Sequence, residues 1–401
     1  MRILNISQNH YIAGGMDRVM FDQTCILEAH GHEVVPFTAA DPTDAPSPWA
    51  DRFPKAARTD STPLSEVPAT LWRPRAARAL ANLLRDEQFD VIHLHSWFKR
   101  LSPAILPALA RARAPVVQTL HDYRTVCSRS TMFRDGGICY ECAGGRRWPA
   151  LRHRCNGSVA KTIASLADME IADRLGYRGI VRRFLPVSEF QRQLLRTMGL
   201  PDDRMRTLPN PVAIPARPAP PPGKGAPVLF VGRMEGYKGA NLFAELARGR
   251  PDAVFAMAGE GSLHAAIAAS RPANLQMLGQ LDQATLAQAV AAATCVVVPS
   301  LAPETFGLAA AEAMAAGKAV IASRTGGLTE IVRDGIDGIL VEPGDVRGLS
   351  DALDRILADP ERARAMGVIA RKRVTETYSG DRFHERLIAI YDEVMMEEAV
   401  S

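Results

Sequence analysis

Two glutamates eight positions apart, Glu304 and Glu312, frame the most chemically loaded segment of this 401-residue chain. It reads Ser300-Leu-Ala-Pro-Glu304-Thr-Phe-Gly307-Leu-Ala-Ala-Ala-Glu312-Ala-Met-Ala-Ala-Gly317-Lys. Glu304 precedes a helix start, where the first amides have no intrahelical acceptor. The amides of Phe306, Gly307 and Leu308 are therefore available to a phosphate, while the carboxylate before them can hold sugar hydroxyls. Glu312, two turns along, is placed to accept from ribose hydroxyls. It sits among Ala and Met, and a carboxylate buried there needs partners. The plain alternative is a helix cap followed by a surface glutamate.

Other groups with matching chemistry lie in loops that follow apolar runs. Arg233 and Lys238 flank a glycine-containing turn that leads into a helix, Val231-Gly-Arg233-Met-Glu-Gly-Tyr-Lys238-Gly239. Two cations beside a helix N-terminus suit a pyrophosphate, and two solvated surface cations are the alternative. Gly259-Glu260-Gly261 allows close backbone approach to a ligand, or forms a tight turn. Gly14 and Gly15, in the loop after the first apolar run, leave the same choice.

Four of the six cysteines cluster: Cys127, Cys139, Cys142 and Cys155. The stretch 124–157 is rich in Gly and Arg, with little apolar content. A loop of that length needs something to hold it. Four thiols, with His153 as a substitute ligand, predict a structural zinc site with no vacancy for catalysis; four free or redox-active thiols are the alternative. Cys25 and Cys295 lie in apolar periodic segments and are expected in the core.

The elements that must position these groups alternate. Strands are expected at Ile3–Ile6, Glu33–Thr38, Val91–His95, Val116–Leu120 and Phe184–Val187. The second half adds Val228–Val231, Ala253–Met257, Leu275–Leu278, Cys295–Pro299, Ala319–Ala322 and Gly338–Val341. Helical stretches such as Ala76–Arg85, Thr285–Ala293 and Leu308–Ala316 separate them. Strand–helix alternation of this kind predicts parallel sheets covered on both faces, with ligands outside the carboxyl ends of the strands. The run Pro211–Pro227 cannot supply helix or central-strand hydrogen bonds and reads as a linker. Domains are thus expected over 1–210 and 228–380. A last helix, 381–401, carries an apolar stripe of Leu387, Ile388, Ile390, Tyr391 and Val394 that needs a surface to cover it.

The Glu-x7-Glu segment, Gly317-Lys-Ala-Val-Ile-Ala-Ser323, Gly326-Gly327 and Glu342-Pro-Gly-Asp345 together resemble retaining glycosyltransferases of family four. The Gly-Arg-x4-Lys-Gly turn, the Gly-Gly loop near the start, His121, Val187-Ser188-Glu189 and Pro209-Asn210 belong to the same pattern, in order along nearly the whole chain. The resemblance implies a GT-B fold: two Rossmann-like doubly wound domains with the active site in the cleft between them. It implies that Arg233 and Lys238 bind the donor pyrophosphate, Glu304 and the following amides the donor sugar, and Glu312 the ribose. His121 would lie near the reacting sugar, and Gly14 and Gly15 would close over the phosphates. The last helix would cross back to the first domain. No catalytic cofactor is implied, and no convincing metal-binding Asp-x-Asp is present. The many family members without such a cysteine cluster leave the zinc reading to stand on this sequence alone.

Composition bounds the partners. At 47% hydrophobic and 23% charged, the chain is an ordinary globular one. The net charge of +4 hides an asymmetry: 29 Lys and Arg face 21 Asp and Glu in residues 1–215, against 19 and 23 beyond. A basic first half suits a phospholipid surface or a pyrophosphate-bearing acceptor, or is merely solvated. Nucleic acid fits less well, because no stacking aromatics accompany the arginines. The short opening run Met1–Ser7 reads as a strand and no stretch reaches bilayer length, so a cytoplasmic protein, peripheral at most to the inner membrane face, is expected. The expected activity is transfer of a hexose from a UDP- or GDP-linked donor to a saccharide or lipid-linked acceptor in surface polysaccharide synthesis. Another GT-B enzyme (an epimerase or phosphorylase) and a non-enzymatic binding protein using the cysteine loop are the rivals.

Overall fold

The computed structural model describes residues 1–55 and 71–400. The chain divides into two compact units: Met1–Thr131, Tyr140–Pro211 and Phe383–Ser401 form the first, Met132–Cys139 and Val212–Arg382 the second. Each is built on a parallel sheet.

In the first unit the strands are β1 (Arg2–Ile6), β2 (Glu33–Phe37), β3 (Val91–Leu94), β4 (Val116–Leu120) and β7 (Val181–Pro186). Their order is β2-β1-β3-β4-β7, with every neighbouring pair parallel. A short antiparallel hairpin, β5 (Phe133–Arg134) and β6 (Gly137–Ile138), lies between β4 and β7 in sequence and belongs to the second unit. Tyr391 and Leu387 of the final helix, Gly380–Val400, are fully buried against Ile3, Leu27, Val91, Val117 and Leu185. Phe383, Ile390 and Val394 join them. Burying five such side chains contributes roughly 10 kcal/mol before chain entropy, enough to hold the helix in this unit.

The second unit contains β8 (Val228–Val231), β9 (Phe255–Ala258), β10 (Leu275–Gly279), β11 (Cys295–Val298), β12 (Ala319–Ser323) and β13 (Ile339–Val341). Their order, β10-β9-β8-β11-β12-β13, reverses direction between β8 and β11. The runs Val-Leu-Phe-Val, Cys-Val-Val-Val and Ala-Val-Ile-Ala-Ser are buried along almost their whole length, as strands covered on both faces must be. Asp282 and Asp345 cap the helices Gln283–Ala292 and Val346–Ala358 by accepting from Thr285 N and Gly348 N.

The proline-rich stretch after Pro211 is neither helix nor strand, but it is no loose spacer. Ala219 donates to the Ala316 carbonyl at 2.8 Å, Lys318 Nζ to the Pro220 carbonyl at 3.1 Å, and Arg371 to the Pro215 carbonyl. Prolines without N–H groups thus lie along the second unit by offering their carbonyls.

Candidate active site

The crevice between β8 and β11 is the point where the strand order reverses, and there parallel sheets receive ligands. The loop after β8 and the loop after β11 are sewn together at this point. The Tyr237 carbonyl accepts from Leu301 N at 2.9 Å and Ala302 N at 3.1 Å. Gly239 has φ +74°, and a Cβ there would stand 1.9 Å from the Pro299 carbonyl oxygen. No side chain fits between the two loops, so only glycine serves.

This seam brings Lys238 to Glu304. The ammonium lies 2.8 Å from both carboxylate oxygens, and the Ser300 hydroxyl donates to Oε1. Glu304 is 12% exposed and Lys238 26%. Burial alone would push the Glu304 carboxyl upward. The Lys238 charge and hydrogen bond, the Ser300 hydroxyl and the more distant Arg233 outweigh it and hold the group below the ordinary carboxylate range. Glu304 is therefore an anion with a cation on one side. Arg233 is exposed, its guanidinium 5.6 Å from the Tyr237 ring centroid, which leaves one unburied cation at the rim of the crevice.

The glycines of the surrounding loops serve close packing. A Cβ on Gly259 would meet the Gly232 carbonyl oxygen at 2.1 Å, and one on Gly261 the Met234 carbonyl oxygen at 2.6 Å. Gly326, at φ +59°, would place a Cβ 2.2 Å from the Glu304 carbonyl oxygen, and Gly327 donates to that same oxygen at 2.7 Å. Gly326-Gly327 is the floor on which the Glu304 loop rests. The short helix Leu308–Ala315 follows, with Gly307 at φ 103° as its N-cap and no side-chain cap. Its first amides are thus left for a ligand or water.

Several expected groups sit differently. Phe306 turns its ring into the core, edge-on to Tyr378 at 5.4 Å, so only its backbone is available. Glu312 is half-buried, not enclosed: it shares the partly exposed helix face of Leu308 and Ala309, while Ala310, Ala311, Ala313 and Met314 fill the core. The sequence run of Ala and Met concealed that face, because an alanine-lined helix shows little polar contrast between its sides. Glu260 is exposed, 3.6 Å from the His264 ring. Glu235, not singled out by sequence, accepts from both the backbone N and the hydroxyl of Ser262, bracing the β9 loop against the β8 loop.

In the first unit, Gly14 is an extended N-cap for the helix Gly15–Ala29. Buried Asp17 shapes the preceding loop by accepting from Ala13 N and Asn9 Nδ2, each at 3.1 Å, and Arg100 donates to Asn9 Oδ1 at 2.8 Å. His121 follows β4 and has its Nε2 2.8 Å from His95 Nδ1. Burial lowers the His121 pKa to about 4, so the ring is neutral at ordinary pH.

The cysteine segment is fastened by charge pairs. Among the described residues, no group of three or more His, Cys, Asp or Glu stands ready to hold a metal ion, which lends the zinc reading of Cys127, Cys139, Cys142 and Cys155 no support. None of the six cysteines forms a disulfide. Cys139 belongs with the β5–β6 hairpin to the second unit, the other three to the first. The first-unit part of the loop is fastened by Arg124, which donates to the Ser128 carbonyl at 2.8 Å and to buried Asp168 at 3.0 Å. Arg147 pairs with Glu170 and Asp173. His153 Nε2 donates to the Glu141 carboxylate at 2.9 Å. Cys25 is exposed, against expectation, while Cys295 is buried, its thiol pushed up to about 12.

Two parallel sheets with helices between their strands define an α/β chain, and comparison with known proteins gives its family. Residues 14–211 match the glycosyl transferase 4-like domain, and residues 216–373 match glycosyl transferases group 1. The chain is 28% identical to a glycogen synthase of Mycobacterium tuberculosis, aligned over 94% of this chain and 91% of that protein. It is 26% identical to the phosphatidyl-myo-inositol mannosyltransferase of Mycolicibacterium smegmatis, over 96% and 91%. The fold matches Anabaena Alr3699/HepE in complex with UDP-glucose, with a TM-score of 0.66 at 18% identity, covering 98% of this chain and 100% of that one. The chain belongs to the group 1 glycosyltransferases, family four, with the GT-B fold.

Proposed function

We propose that this glycosyltransferase moves a hexose, with retention and without a metal ion, from a UDP- or GDP-linked donor to a saccharide or lipid-linked saccharide in surface polysaccharide synthesis. The Lys238–Glu304 pair at the β8–β11 crevice carries the reading. A departing nucleotide diphosphate develops negative charge, which Arg233, Lys238 and the first amides after Gly307 can stabilise. Glu304, kept ionised, accepts from sugar hydroxyls, and half-exposed Glu312 accepts from the ribose. His121, Gly14 and Gly15 are the first unit's own candidates for binding sugar and phosphate oxygens. The relative crystallised with UDP-glucose supports the donor class, and the phosphatidyl-myo-inositol mannosyltransferase supports a lipid-linked acceptor.

A nucleotide-sugar panel with simple saccharide and lipid-linked acceptors, read by mass spectrometry and by the anomeric coupling of the product, tests this. An α-configured donor should give an α-configured product, undiminished by EDTA. An inverted product, or an absolute need for added Mg²⁺ or Mn²⁺, would sink the mechanism. Glu304→Gln should lower turnover by about two orders of magnitude.

Membrane contact fits a patch in the basic first half. Trp148 is 60% exposed, and Leu151, Val159 and Ile163 are exposed nearby in sequence on the helices Trp148–Arg152 and Val159–Arg174. Arg152 lies over the Trp148 ring, and Arg146, Arg154 and Lys161 are close in sequence. Aromatic and basic groups together suit an anionic bilayer surface. Co-sedimentation with phosphatidylglycerol vesicles, lost in Trp148→Ser, is the expected result; equal binding by the variant would remove the assignment.

A further inference from the structure

Three imidazoles stack in the core of the first unit. His93 and His95 leave the same face of β3 because they are two residues apart, and Thr119 and His121 do the same at the end of β4. The His93 and His95 rings are 4.5 Å apart and nearly parallel, and the His95 and His121 rings are 5.1 Å apart. His93 Nδ1 lies 2.6 Å from the Tyr391 hydroxyl and its Nε2 lies 2.8 Å from Thr119 Oγ1. Gln23, from the helix Gly15–Ala29, points its Nε2 at His93 Nδ1, 3.1 Å, and at His95 Nε2, 3.4 Å. All of these residues belong to the first unit.

The protons in this array are tied to one another. Burial lowers the pKa of His93 to about 3 and of His121 to about 4, and pushes His95 well below its ordinary value. Each ring is therefore neutral and carries one N–H. An amide N–H of Gln23 pointing at His95 Nε2 requires a lone pair there, so the His95 proton sits on Nδ1. That N–H donates across the 2.8 Å contact to His121 Nε2, which must also be a lone pair. His121 then has its own proton on Nδ1. Turning the Gln23 amide over would present Oε1 to the rings and invert both tautomers. In the present orientation Oε1 lies buried without a partner, an unfavourable feature of the arrangement.

We propose that Gln23 and His95 are positioning residues that fix His121 as its Nδ1–H tautomer, so that the ring acts as a hydrogen-bond donor and not as a base. This rests on the role given to His121 above. A neutral N–H donor suits a phosphate oxygen or a sugar hydroxyl oxygen and cannot remove a proton from an acceptor. His93, Thr119 and Tyr391 back the array from behind.

The test reads the tautomer directly and needs no substrate. The full chain, labelled with 15N-histidine, is examined at neutral pH by two-bond 15N–1H correlation, with His121 assigned by its loss in His121→Asn. The expected wild-type pattern is Nδ1–H. His95→Asn keeps an N–H donor near the Nδ1 position and should preserve it. His95→Leu and Gln23→Leu, each checked for cooperative melting, should shift His121 toward the Nε2–H form or a mixture. An Nε2–H His121 in wild type overturns the proposal, as does an unchanged Nδ1–H form in whichever leucine variants fold. Full turnover by His121→Asn would instead remove the catalytic role of His121, leaving the tautomer assignment to the spectra.

Discussion

Replacing Lys238 by Met removes the cation from Glu304 and should do so in a pH-dependent way. In the intact protein the Glu304 carboxyl is held below its ordinary value, so the stability it contributes is full above the unfolded-state pKa and is lost as pH falls through the folded value. Without Lys238, burial, the largest single influence on Glu304, pushes the pKa upward, and the sign reverses. The variant then loses stability as pH rises through the unfolded pKa of about 4.5. Stripping one partner from a buried pair costs about 3–5 kcal/mol. With Lys238 at 26% exposure and the Ser300 hydroxyl still present, about 2–3 kcal/mol at pH 7 is the fitting figure. At roughly 2–4 °C per kcal/mol for a unit of this size, the melting transition of the second unit should fall by about 4–12 °C. Differential scanning calorimetry at pH 7 and near pH 4 reads both effects. The gap from wild type should narrow on acidification, and Lys238→Met with Glu304→Gln should recover most of it. A pH-independent gap, or a double variant no better than the single, would refute the electrostatic account of the pair.

The remaining expectations concern the supports of the site. Gly326→Ala forces a Cβ to within 2.2 Å of the Glu304 carbonyl at a positive φ, so donor affinity should fall at least tenfold with a visible drop in Tm; unchanged binding would contradict the floor assigned to this loop. His93, His95 and His121 all have depressed pKa values, so their stability is full above about 6.5 and is lost as pH falls towards about 4, at about 1.4 kcal/mol per pH unit per group. Urea midpoints across that range should show the slope, and His95→Asn should flatten it. Arg124→Met leaves Asp168 buried without its cation and should make the 127–157 segment susceptible to trypsin while the rest of the chain stays protected.

The strands were legible wherever both faces are covered, because a continuous apolar run such as Cys295–Val298 has no other easy reading. β7 begins three residues before its apolar core because Arg182 and Arg183 lie on an edge strand, where Glu393, Glu397 and Glu398 of the final helix take their charge. The β5–β6 hairpin, with two residues per strand, has no period to read. Arg233, Lys238 and Glu304 were visible as types in strand-exit loops, but the contact between Lys238 and Glu304 spans 66 residues of sequence and needed the sheet order. The staple of Arg124 on Asp168 in the cysteine segment spans 44 residues and leaves no local mark. The stacked histidines did leave one: His93 and His95 two apart at a strand exit share a face.

Isothermal titration of UDP-glucose, UDP-galactose, UDP-N-acetylglucosamine, GDP-mannose and GDP-fucose into the wild-type chain, Arg233→Ala and Lys238→Ala tests the central claim most directly. At least one of these donors should bind the wild type and release free nucleotide slowly in water, with affinity reduced tenfold or more in each variant, since each loses a charge facing the pyrophosphate. Absence of binding by every donor, or binding indifferent to both substitutions, would contradict a nucleotide-sugar site at the β8–β11 crevice.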